Sequence, residues 1–136
     1  MTVIDAQVHI RGAETPERPW PSGGAALAHR PTPLGKNELL REMDAAGVDR
    51  AIIVPPSWEG DRNDLAPEAA RLHPDRFAVM GRLAIEQPES RSLVDTWKCQ
   101  PGMLGVRLTF HRDFLSNIDT TWIMGCGIAE WLGWPL

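Results

Sequence analysis

The sequence predicts an α/β protein built from parallel βα units. Four runs rich in β-forming residues, 3–10, 50–54, 77–83 and 103–110, alternate with segments of helical character. That alternation is the rhythm of a parallel sheet with crossover helices. Strands of such a sheet are covered on both faces and read as continuous apolar runs, so the polar residues that collect at the carboxyl ends of these runs stand out. At 136 residues the chain fits one domain with a core of its own.

The elements follow in order. In the first run, strict alternation places Asp5, Gln7 and His9 on one strand face and Ile4, Ala6 and Val8 on the other. Residues 11–35 carry Pro16, Pro19, Pro21, Pro31, Pro33 and the Gly23-Gly24 pair. This is a long loop, and loops of that length within a compact domain are commonly lids. Trp20 and His29 then either face a substrate or pack the loop onto its own domain. A first helix is expected at 37–46, with Leu39, Leu40, Met43 and Ala46 on one face and Gly47 as its stop. A second is expected at 64–72, capped by Asp61, Asn63 or Asp64 and ended by His73-Pro74-Asp75. Pro88 suits the first turn of a third helix with Leu93, Val94 and Trp97 buried, before Gln100-Pro101-Gly102 turns the chain into the fourth run. Asp119 or Thr120 is placed to start a fourth helix.

Several function classes are disfavoured by composition. A net charge of −4 without a basic run does not suit a nucleic-acid surface, which depends on clustered Lys and Arg. No apolar stretch approaches the ~20 residues that cross a bilayer, and Met-Thr-Val-Ile-Asp lacks the basic and apolar regions of a signal peptide. Cys99 and Cys126 lie far apart outside any metal-binding spacing, which suits two reduced thiols and a cytoplasmic setting.

Ligands in open α/β sheets and in closed (β/α) barrels bind at the carboxyl ends of the strands. Gln7, His9, Ser57, Arg82, Arg107 and His111 are the polar residues expected to gather there. In the fourth run Arg107, Thr109 and His111 share a face, opposite Val106, Leu108 and Phe110. A guanidinium grips a carboxylate with two parallel hydrogen bonds, so Arg107 reads as a substrate clamp; its alternative is an ion pair with Asp5 or another carboxylate inside the sheet. Ser57 lies in the turn-forming stretch 55–63, as a ligand contact or simply as a turn residue, and it lacks the nucleophile-elbow pattern.

Taken together, these stretches resemble the amidohydrolase-related family, within the amidohydrolase superfamily of (β/α) barrels. Ile4-Asp5-Ala6-Gln7-Val8-His9 is similar to the family's first-strand motif Ile-Asp-x-His-x-His. Arg50-Ala51-Ile52-Ile53-Val54-Pro55-Pro56-Ser57 resembles its second strand and loop, His73-Pro74-Asp75-Arg76-Phe77 its entry to the third strand, and Gly105-Val106-Arg107-Leu108 its fourth strand. The resemblance implies half of a TIM-type (β/α)8 barrel: one partial domain, residues 1–136, with four βα units. It also implies a hydrolase in which water attacks the carbonyl of a small carboxylated lactone or related ester. The alternatives are a metal-dependent decarboxylase of an aromatic or muconate-type acid and a non-catalytic half-barrel that oligomerises.

Gln7 stands where the family has the first histidine of a metal pair, and an amide oxygen is a poor ligand for a zinc-type ion. The resemblance therefore favours a metal-independent lactonase, with His9 orienting or polarising the carbonyl, Gln7 beside it, and Arg107, Ser57, Arg82 and His111 binding substrate. A divalent metal, held in part by His9, is the other option for a full-length parent. A full barrel needs about 250 residues, so the chain is expected to be a fragment, inactive alone, whose remaining ligands and aspartate base come from later strands. Four strands expose an edge on each side, and the apolar ending 122–136 with its tryptophans wants a further surface. A second copy completing the barrel is one way to supply it.

Overall fold

A computed structural model describes residues 1–20, 22–23, 30, 32–85 and 87–108. The expectations for His29, Thr109, Phe110, His111, the helix from Asp119 or Thr120, Cys126 and the apolar stretch 122–136 lie outside the described residues.

The chain forms β1 (Ile4–Val8), α1 (Lys36–Ala46), β2 (Arg50–Ile53), α2 (Leu65–Leu72), β3 (Phe77–Arg82) and β4 (Met103–Arg107). The strands make one sheet in the order β1-β2-β3-β4, every pairing parallel. Strand and helix positions agree with the hydrophobic pattern to within a few residues at each end. The first helix stops where expected: Gly47 takes φ 70°, its N–H donates to the Asp44 carbonyl, and the Val48 N–H donates to that of Met43. These two bonds form the Schellman closure, which needs a left-handed residue at Gly47.

The core lies between the sheet and the helices. Ile53 and Val79 are fully excluded from water, under Leu39 and Met43 of α1 and Ala66, Ala69 and Ala70 of α2. Alanines on α2 let the chain come close: Gly102, at φ 68°, lies where a Cβ would meet the Ala70 Cβ at 2.5 Å. Only glycine satisfies both the backbone and the space there.

The third helix does not form. Residues 88–99 instead make two 3-10 turns, Pro88–Leu93 and Trp97–Cys99. The Ser92 hydroxyl donates to the Glu89 carbonyl and the Thr96 hydroxyl to that of Leu93, local bonds that compete with helical pairing. Val94 and Trp97 are buried as expected while Leu93 is exposed. The Trp97 indole donates to the Gly105 carbonyl at 3.1 Å and so ties the segment to β4.

The alternation expected of β1 is also broken. Register slips between Asp5, which pairs with Ala51, and Val8, which pairs with Ile53. Ala51 and Ile53 both lie on the helix-covered face, so Asp5 falls in line with Val8 rather than with Gln7, and its carboxylate accepts the Gln7 backbone N–H at 3.0 Å. Ile4 is not turned into the core but is 54% exposed. A bulge costs one residue of pairing and flips every side chain beyond it.

Candidate active site at the carboxyl ends of the strands

Gln7 is the last residue but one of β1 and His9 follows the strand; Arg82 and Arg107 are the last residues of β3 and β4; Ser57 lies just beyond β2. The fold therefore brings these five of the expected residues to one end of the sheet, and their interactions differ.

His9 Nδ1 lies 2.6 Å from the Val54 carbonyl oxygen. A carbonyl only accepts, so Nδ1 carries the proton and the ring presents Nε2 outward. Gln7 Oε1 accepts from the Arg107 guanidinium at 3.2 Å. This contact joins the two outer strands, whose backbones in a flat sheet would stand three spacings apart, about 14 Å. Side chains stand nearly upright on a sheet, so Gln7 and Arg107 meet because the sheet curls into a trough. The ion pair of Arg107 with Asp5 gives way to this bond, since the register slip turns Asp5 aside.

Arg82 is held differently. Its backbone N–H donates to Asn63 Oδ1 at 2.7 Å and its carbonyl accepts from Asn63 Nδ2 at 2.8 Å, so one amide side chain acts as an extra strand partner. Its Nε donates to the Gly60 carbonyl at 3.1 Å, with Asp61 3.8 Å away. The guanidinium thus supports the loop after β2. Ser57 is exposed at the start of the 3-10 turn Ser57–Glu59, and its carbonyl accepts from the Gly60 N–H. His73, at the end of α2, packs edge-on against Phe77.

Sequence reasoning passed over Arg18 and Glu59. Arg18 donates to Glu59 at 2.8 Å and also pairs with Asp64, while Glu59 accepts the Gly12 N–H at 3.1 Å. Asp64 thereby joins the loop rather than capping α2 with its side chain. The loop after β1 is further tied by Arg62 to the Glu17 carbonyl and by Arg30 in a two-pronged bond to Glu42 on α1. That bond holds the Glu42 carboxyl below its ordinary range and raises Arg30. Trp20 lies under the Arg11 guanidinium, 5.5 Å from ring centre to charge. Only the abundance of turn formers and charges in both loops hinted at this network.

A cleft of about 520 Å³ opens at the opposite, amino end of the strands, lined by Asp44, Asp49, Asp75 and Arg76 among others. Three of its charges are engaged with each other or with the backbone: Arg76 pairs with Asp44 and the Asp49 carbonyl, and Asp49 accepts the Val3 N–H. In barrels of this kind that end serves stability.

No protein-family model matches the chain, and no curated protein matches it in sequence. Solved structures do. A probable 2-pyrone-4,6-dicarboxylic acid hydrolase from Acinetobacter baumannii, with citric acid bound, superposes with TM-score 0.68 at 20% identity over 98% of this chain and 48% of its own. The fold is that of half a (β/α) barrel, four parallel strands alternating with helices. The half-barrel likewise matches 2,6-dihydroxybenzoate decarboxylase from Rhizobium, with TM-score 0.65 and 20% identity over 99% of this chain and 49% of that one. A manganese-bound 5-carboxyvanillate decarboxylase from Novosphingobium aromaticivorans gives 0.64 at 20% identity over the same shares. The chain thus spans about half the length of these structures.

Among the described residues no three His, Cys, Asp or Glu side chains converge to hold a metal ion; His9 offers one imidazole nitrogen, and Gln7 is bound to a guanidinium that would repel a cation.

Proposed function

We propose that this half-barrel contributes to a hydrolase acting on a small carboxylated lactone or related ester. The observation that carries the reading is the Gln7–Arg107 bond, which holds a guanidinium at the end of the sheet to which β1 also delivers His9. A fixed cation there suits a substrate carboxylate, and the amide of Gln7 orients it without neutralising it. His9, anchored through Nδ1, directs Nε2 at the reacting group: as an imidazolium it donates to the carbonyl oxygen, and as a neutral ring it accepts from water. Water adds to the carbonyl carbon, the ring C–O bond breaks, and a carboxylate and an alcohol result. Ser57, and Arg82 through the loop it supports, complete the near side of the site, while the base belongs to strands of the other half.

The second reading is a decarboxylase of an aromatic acid. Two of the neighbours are decarboxylases, and a histidine whose Nδ1 donates to a backbone carbonyl is oriented as metal-binding histidines are. Titration with 2-pyrone-4,6-dicarboxylate separates the two. The lactonase reading expects binding without added metal, weakened at least ~10-fold by Arg107→Met, the loss of one charge-assisted pair. Binding indifferent to that substitution, or seen only with added manganese, would count against it.

A further inference from the structure

We propose that a second copy of this chain closes the barrel, its β1 pairing with the β4 of the first and its β4 with the β1. Among the described residues, the outer edges of β1 and β4 carry no neighbouring strand. Each edge also presents aliphatic surface that a water-facing strand does not need: Val3 and Ile4 are 40% and 54% exposed at β1, and Leu104 is 52% exposed at β4. An edge of that kind is a template for pairing.

Two observations select a closed pair of copies over an open, edge-to-edge one. The sheet is all parallel, and a two-fold axis along the barrel carries β4 onto β1 with strand direction preserved, so both seams are parallel. Pairing β4 with β4 would instead be antiparallel and leave both β1 edges bare. The sheet is already curled, since Gln7 reaches Arg107 across it, and curling is what closure requires.

Closure changes what the trough is. Ile52, Ala78 and Met80, half-buried on the face away from the helices, become interior layers of the kind that fill such barrels. The Gln7–Arg107 pair and His9 of each copy then face those of the other around one mouth.

The test uses the 136-residue chain, and its readouts need no substrate. Sedimentation equilibrium at micromolar concentration is expected to give twice the mass of one chain, and Leu104→Glu to return it to one while far-ultraviolet circular dichroism is unchanged. With Cys99 and Cys126 replaced by serine, a mixture of Ile4→Cys and Leu104→Cys proteins is expected to crosslink through a short thiol reagent, whereas neither variant alone does so. A monomeric mass overturns the proposal. So does efficient crosslinking of either variant with itself, which would mark antiparallel pairing of like edges.

Discussion

On one side of the sheet Ile53 and Val79 are wholly excluded from water beneath two helices; on the other, Ile4 is half exposed and Gln7 and Arg107 reach across open space to each other. The same four strands carry both sides. The covered side is organised by volume: alanines on α2, Gly102 against Ala70, and Trp97 under Gly81, where a Cβ would meet the indole at 2.8 Å. The open side is organised by hydrogen bonds and charge. Stability therefore resides mainly on the first side and chemistry on the second, and substitutions on the two sides should fail in different ways.

The largest effect belongs to the covered side. Ile53→Ala removes a fully buried side chain, and its chemical-denaturation midpoint should fall by the equivalent of about 2–5 kcal/mol; a loss well below 1 kcal/mol would mean that the helices do not seal this face. Asn63→Ala tests the join between the sides. It strips two hydrogen bonds from the end of β3 and should cost about 1–3 kcal/mol, with faster hydrogen exchange at the Arg82 amide as the local signature.

Arg107→Met should leave the denaturation midpoint within about 0.5 kcal/mol, as surface changes do, yet weaken carboxylate binding. A large loss of stability there would erase the contrast between the sides. The smallest effect is the pH response of the Arg30–Glu42 tie. Glu42 is held low chiefly by its hydrogen bond to Arg30, so its contribution is complete above the ordinary carboxylate pKa and fades as pH falls through the lowered one. The gap in melting temperature between the parent and Glu42→Gln should close on acidification, and a gap constant with pH would remove the tie from the account.

Four strands, two helices and their boundaries were legible in the sequence because apolar spacing and turn residues act locally; Leu39 with Met43, and Gly47 after them, are examples. The segment 88–99 was misread because its apolar spacing suits a helix while its hydroxyls bond three residues back. At the site, the gathering of Gln7, His9, Arg82 and Arg107 at the carboxyl ends followed from strand order, but their partners did not. Arg82, expected to meet ligand, also holds the loop after β2; Asn63 was read only as a possible helix cap, and Arg18 and Glu59 were not singled out. Those bonds join residues more than 15 positions apart, where no local pattern reports them.

By itself the sequence determined the βα order, the covered faces of the helices and the end of the sheet where polar groups collect, since each follows from periodicity and chain direction. Only the tertiary structure decided which of those groups meet. A one-residue slip in β1 turned Asp5 away, and the curl of the sheet brought Gln7 to Arg107, because both depend on how distant strands pack rather than on the residues beside them.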